Sequence, residues 1–105
     1  MSKGNISMTT NINGHIVDCS ALAREVLRRG MMTRQEMRDF IWSHPKDFPG
    51  LQDVVDEIGD KMTDEMKDII ADQIIDSLAE QNVLCPYGED EGSFAVTGAA
   101  KDYIE

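Results

Sequence analysis

The longest regular pattern of apolar positions in the chain lies between residues 64 and 81. Ile69 and Ile75 support a set of apolar residues spaced by four, which comprises Met66, Ile70, Ile74 and Leu78. This spacing places the side chains on one face of an α-helix. Thr63, directly before the pattern, is an expected N-cap. The pattern therefore predicts a helix over residues 64–81 whose apolar face packs into a core.

Shorter apolar periodicities precede this segment, and they predict helices over residues 20–29, 34–43 and 50–59. Each of the first two has local end signals. Asp18 or Ser20 caps the first helix and Gly30 ends it. Thr33 and Glu36 have the spacing of a capping box at the start of the second.

Two hairpins and a short last helix complete the pattern. A type I′ turn at Asn13-Gly14 predicts a short N-terminal hairpin. The polar loop at residues 88–92 separates two further predicted strands, at residues 83–87 and 93–97. Pro86 cannot donate a backbone hydrogen bond, so its strand is expected at a sheet edge. Residues 99–104 are expected to form one or two helical turns.

These elements predict a single α+β domain over residues 1–105, with residues 1–6 flexible. By pattern, residues 18–104 resemble a winged-helix (winged helix-turn-helix) module. The segments that carry the resemblance most clearly are the helix end and turn at 77–84, the hairpin, and the stretches 93–98 and 101–104. The resemblance implies a helix-rich winged-helix-like fold, in which the long helix is the recognition helix and the C-terminal hairpin is the wing.

The charge is strongly negative and unevenly distributed. Ten Lys and Arg against twenty Asp and Glu give a net charge of −10. Residues 1–47 carry seven basic and five acidic side chains, whereas residues 48–105 carry three basic and fifteen acidic ones. This balance excludes a generally basic nucleic-acid binder, because phosphate attraction supplies most of such affinity. No apolar run exceeds three residues, so neither a membrane span nor a signal peptide is expected, and we predict a cytoplasmic protein.

Five acids repeat at intervals of four along the predicted long helix. This acidic row comprises Asp64, Asp68, Asp72, Asp76 and Glu80. It is offset by two residues, or roughly 200°, from the apolar positions, so it is expected to point away from the core. Replacing Asp68 and Asp72 by lysine should then relieve repulsion and leave folding intact or improve it. Glu89, Asp90 and Glu91 add acids at the tip of the wing.

Two interpretations of these acids stay open. They can form a solvated face that keeps a small protein soluble, or a docking surface for a basic protein partner, such as one whose groove accepts carboxylates in place of phosphates. Either way the surface repels DNA. Nucleic-acid binding through helix 64–81, which the winged-helix resemblance implies, is therefore not expected.

The N-terminal half contains a basic cluster, which comprises Arg24, Arg28, Arg29, Arg34 and Arg38. These arginines can pair with the acidic row of the same chain or remain solvated. Alternatively, they can meet the acidic row of a second copy and produce a homodimer or another assembly. A DNA-binding role would need them exposed together on one face, beyond the reach of the acids.

Residue patterns for catalysis, metals and cofactors are mostly missing. Of the potential zinc ligands only His15 and Cys19 are locally paired, and their spacing is not that of a zinc finger. Cys19 and Cys85 are instead expected to be buried, reduced thiols. Asp18 and Ser20 are better explained as helix caps than as members of a catalytic set with His15 and Cys19. No catalytic residue, metal or cofactor is predicted.

The sequence as a whole predicts a small, acidic, non-enzymatic protein that regulates or inhibits a basic protein partner, for example one that handles nucleic acid, through an electronegative helix face. Small acidic inhibitors that mimic DNA, often phage-encoded, have this size and charge, which is a parallel of class and not of sequence. One alternative is a winged-helix transcription regulator that binds DNA through its arginine surface. Another is a structural or accessory subunit that self-assembles, in which the positive N-terminal half of one copy pairs with the negative C-terminal half of another.

Overall fold

The computed structural model describes residues 8–88 and 92–104 of the chain, and within these ranges the fold is mixed α+β. The helices are α1 (Ser20–Arg29), α2 (Arg34–Ser43), α3 (Leu51–Ile58), α4 (Asp64–Glu80) and α5 (Gly98–Ile104). The strands are β1 (Thr9–Ile12), β2 (His15–Asp18), β3 (Met32–Thr33), β4 (Leu84–Pro86) and β5 (Ser93–Val96). The expectation that residues 1–6 are flexible lies outside the described residues.

The N-terminal hairpin forms as predicted. Strands β1 and β2 pair antiparallel, with Ile12 opposite His15. The two turn residues, Asn13 and Gly14, have φ angles of 53° and 87°, and a type I′ turn requires positive φ at both positions. The Asn11 side chain accepts a hydrogen bond of 2.9 Å from the Gly14 amide and so braces the turn.

The predicted capping signals hold for α2 and α4 but not for α1. Neither Asp18 nor Ser20 is the N-cap of α1: Cys19 occupies that position and makes no side-chain cap hydrogen bond, while Asp18 Oδ1 accepts from the Ser20 amide at 2.9 Å. The capping box of α2 is complete, because the Thr33 hydroxyl accepts from the Glu36 amide and the Glu36 carboxylate accepts from the Thr33 amide. Thr63 caps α4 with a single bond, in which its hydroxyl accepts from the Met66 amide at 3.1 Å.

The C-terminal hairpin is part of a three-stranded antiparallel sheet with the order β3-β5-β4. Pro86 lies in the edge strand β4, as predicted. The sequence pattern did not indicate β3, which has only two residues and exists because Met32 and Thr33 pair with Phe94 and Ser93. Two residues are too few to show the alternation of apolar and polar positions that indicates a strand. The strand forms only because β5 pairs with it.

The core lies between the helices, the hairpin and the sheet, and α4 contacts α2, β1 and β4. The buried side chains of α4 are Ile70, Ala71, Ile74, Ile75 and Leu78. The prediction that Ile69 supports this face is wrong, because its side chain is 51% exposed. No helix in the described ranges is both long enough and apolar enough to cross a membrane.

The segment before α3 passes directly behind the hairpin. The Asp18 amide donates to the Pro49 carbonyl at 2.9 Å. Gly50 follows with a φ of 95°, and a Cβ there would collide with the Ile16 carbonyl oxygen and lie 3.2 Å from the Val17 Cα. Glycine at this position therefore permits the close approach that fixes the hairpin beside α3.

We expect Gly50→Ala to lower the free energy of unfolding by more than about 3 kcal/mol, because it adds a backbone collision to the conformational penalty of a positive φ. Gly30→Ala is the matched control. Gly30 has a similar φ of 93° but no atom within 4 Å of an added Cβ, so about 1–2 kcal/mol is expected. Urea denaturation measures both, and equal losses would contradict the close approach at Gly50.

Candidate functional site

The acidic row winds around α4 instead of lying directly opposite its buried face. A helix turns 100° per residue, so each step of four residues advances the row by about 40°. The buried face extends to Ala71 and Ile75, which lie between the apolar positions and the acids. Asp72 consequently lies at the edge of the packed surface, with 31% of its side chain exposed. The expectation that the whole row points away from the core is therefore wrong for Asp72.

Asp72 is held by two arginines of α2. Arg38 binds both carboxylate oxygens, with Nε 3.0 Å from Oδ1 and Nη2 2.9 Å from Oδ2. Arg34 donates from Nη1 to Asp72 Oδ1 at 3.1 Å and from Nη2 to Asp76 Oδ1 at 3.1 Å. Because Arg34 and Arg38 are four residues apart, they project from the same side of α2 onto α4.

This contact shifts the titration of its members. Burial alone would raise the pKa of Asp72, but the hydrogen bonds from Arg38 and Arg34 outweigh it and hold that pKa below the ordinary aspartate value. The same hydrogen bond from Arg38 to Asp72 raises the pKa of Arg38. The middle of the acidic row is thus compensated by arginines of the same chain. For Arg34 and Arg38, this agrees with the interpretation that the arginines pair with the acidic row within one chain.

The remaining arginines of the cluster lie mostly beside other acids. Arg28 and Arg29 each come within 2.6 Å of the Glu25 carboxylate. Their hydrogen bonds, that from Arg28 above all, lower the pKa of Glu25 to about 2. Arg24 is exposed and forms no ion pair with the residues that the structure describes. The cluster therefore does not present a continuous set of free guanidinium groups.

The two ends of the acidic row differ from its middle. Within residues 8–88 and 92–104, Asp64, Asp68 and Glu80 form no salt bridge, and all three are exposed. The charge of Asp68 acts on Arg38 only from a distance, where it helps to raise the pKa of the arginine. Glu89, Asp90 and Glu91, the acids predicted at the wing tip, lie outside the described residues.

A surface recess of about 340 Å³ lies at the N-terminal end of the row. It is lined by Arg38, Asp39, Trp42, Ser43, Asp64, Lys67 and Asp68. The Lys67 ammonium lies 5.8 Å from the centre of the Trp42 ring, over its face, and the Trp42 Nε1 donates to the Lys67 carbonyl at 3.0 Å. Both basic and acidic side chains line the recess, so it has mixed charge.

A second, apolar recess escaped the sequence analysis. This apolar groove, of about 170 Å³, lies between α4, the turn of the N-terminal hairpin and the end of α3, and it is lined by Ile12, Asn13, Ile58, Met66, Ile69, Ile70 and Gln73. One signal could have indicated it. Ile69 is rotated 100° from Ile70 in the direction opposite to Ala71, outside the arc that the core covers.

The residues considered for metal binding do not come together. In the part of the chain that the structure describes, no group of three His, Cys, Asp or Glu side chains could hold a metal ion. His15 pairs through Nε2 with Glu57. Burial, reinforced by the charge of Asp18, raises the pKa of the Cys19 thiol to about 12, which makes it a poor nucleophile. Cys85 was expected to be buried but is only half-buried, because it lies in the edge strand.

Comparison with protein-family models, curated proteins and solved structures finds no match to this chain.

We expect Asp72→Asn to lower the free energy of unfolding by about 1 kcal/mol, because it removes the charge that two arginines share. The expectation that lysine is tolerated at position 72 is revised for the same reason.

Glu80→Gln should instead raise stability by about 0.3–1 kcal/mol, since Glu80 lies at the C-terminus of α4 and opposes the helix dipole. Thermal unfolding of both variants at low salt tests this. A destabilised Glu80→Gln or an unchanged Asp72→Asn would contradict the division of the row.

Proposed function

We propose that this chain is a small, non-enzymatic regulatory or inhibitory protein that binds a basic protein partner through the exposed acids of α4. The observation that carries the proposal is an imbalance across the α2–α4 contact. The acidic row has five members, but the two arginines of α2 bind only Asp72 and Asp76. Asp64, Asp68 and Glu80 keep their charges available on the surface.

Electrostatics supports a partner that normally handles nucleic acid. Along the helix axis, Asp64 and Asp68 lie about 6 Å apart and Glu80 lies about 18 Å beyond Asp68, so the unpaired acids place negative charge at both ends of α4. A protein surface that attracts phosphates would attract these charges too, and long-range attraction would accelerate the encounter. Such binding would be sensitive to salt, because exposed charges are screened at high ionic strength.

A winged-helix-like arrangement remains part of this proposal. Three helices precede the long helix α4, which is followed by a β-hairpin and a short helix. This order agrees with the arrangement that the resemblance implies. In a DNA-binding member of that superfamily, α4 would present basic or amide side chains to the groove. Here it presents acids, so we propose that protein binding has replaced nucleic-acid binding on this surface.

The alternative of a DNA-binding regulator has weaker support. It requires arginines that are free on one face, but Arg34 and Arg38 are engaged by α4, and Arg28 and Arg29 by Glu25. The same engagement weakens the self-assembly alternative, since arginines bound within the chain are not available to a second copy. The free thiols of Cys19 and Cys85 agree with a reducing, cytoplasmic location, which we include in the proposal.

The test is affinity capture from a lysate of the producing cells, followed by measurements on the purified partner. We expect the wild-type chain to retain one basic, nucleic-acid-handling protein at low salt and to release it at high salt or on addition of duplex DNA. A triple variant, with Asp64→Asn, Asp68→Asn and Glu80→Gln, should bind this partner at least about tenfold more weakly, because it removes the uncompensated charges.

A second triple variant controls for net charge. Asp47→Asn, Asp53→Asn and Asp56→Asn remove the same number of exposed acids from outside α4 and should leave binding close to wild type. If both triple variants bound the partner equally weakly, the loss of affinity would come from net charge and not from the exposed acids of α4. Recovery of DNA, or of this chain alone, would refute the proposal and favour the regulator or the self-assembling subunit.

A further inference from the structure

The apolar groove exposes aliphatic surface in the middle of an acidic region. Ile12 and Ile70 form its buried floor, and Ile69 at its rim is 51% exposed. Single exposed apolar residues are common on proteins, but here the exposed residue borders a recess of about 170 Å³. A cavity of roughly 150 Å³ holds a benzene molecule. The groove therefore has room for one leucine or phenylalanine side chain.

Acids lie near this groove on both sides, although none of its lining residues is acidic. On α4, Glu65 precedes Ile69 by four residues and shares its exposed side of the helix, and Asp76, seven residues after Ile69, pairs with Arg34 but stays 60% exposed. On the opposite wall, Glu57 precedes Ile58, pairs with His15 and stays 53% exposed. Lys61 is a basic residue near this wall in sequence. The other basic side chains near this part of α4 lie on its α2 side: Arg34 and Arg38 of α2 bind its acids, and Lys67 of α4 lies over Trp42.

We propose that the apolar groove receives one aliphatic or aromatic side chain of the basic partner, flanked there by lysines or arginines that meet the surrounding acids. The inference rests on the proposed function and specifies the partner's chemistry. Charge complementarity selects this occupant, because the acids beside the groove and the net charge of −10 disfavour an acidic segment and attract a basic one. An apolar anchor in a pocket with charges around it is a common arrangement for the energetic centre of an interface.

The probe is a synthetic pentapeptide in which leucine is flanked by two lysines on each side, compared with the same peptide containing glycine instead of leucine. Titrations at low salt are followed by NMR of the isoleucine methyl groups. We expect the leucine peptide to bind about tenfold more tightly, since its side chain is removed from water. It should also shift the methyl signals of Ile12, Ile58 and Ile69, which the glycine peptide should leave nearly unchanged.

Two surface variants make the test specific. Ile69→Ser should abolish the tenfold difference while leaving the binding of the glycine peptide intact. Tyr87→Ser, at a position that is 50% exposed and outside the groove, should preserve the difference. Because both side chains are already largely exposed, neither change is expected to unfold the protein.

The outcomes separate this inference from the proposed function. Equal binding of the two peptides would overturn the groove proposal and leave the electrostatic docking surface standing. Binding of neither peptide at low salt would overturn both. A dimer in sedimentation that Ile69→Ser dissociates would also overturn the groove proposal, because it would assign the groove to a second copy of the chain.

Discussion

The contact between Arg34 and Arg38 of α2 and Asp72 of α4 determines how the charge of this protein is distributed. It joins two helices that pack against each other, and it compensates charge at the point where the acidic row approaches the core. Because Arg38 binds both oxygens of Asp72, the contact has the fork geometry that makes arginine–carboxylate pairs specific. Its consequence is a divided row, in which the middle serves the fold and the two ends remain available at the surface.

Much of the fold was predictable because its signals are local. The Asn13-Gly14 turn, the capping box at Thr33 and the cap by Thr63 each depend on residues within four positions of one another. The two-residue strand β3 was not predictable, since it forms only by pairing with β5. The candidate site was predictable in composition but not in geometry. Residues 64–80 specify the acids, whereas the contact of Asp72 with Arg38 depends on how α2 packs against α4.

The exposed position of Ile69 has the same origin. A spacing of four identified the apolar row correctly, but the width of the buried face depends on which neighbours pack beside it. Ala71 and Ile75 are covered and Ile69 is not, so acids and an apolar groove occupy one surface of α4. A partner that combines positive charge with a single apolar anchor would match both features. The acids would accelerate its association, and the groove would make its binding specific.

The most direct test of the divided row is an NMR titration of the Asp72 carboxyl carbon in the wild type and in Arg38→Gln. We expect the wild-type pKa to lie below the ordinary aspartate value and to rise in the variant, because the hydrogen bonds from Arg38 are lost. The sign of the stability effect follows: the contribution of Asp72 is complete at neutral pH and is lost as the pH falls through its lowered pKa. An Asp72 pKa that is the same in both proteins would contradict the account, since α2 would then not hold the middle of the acidic row.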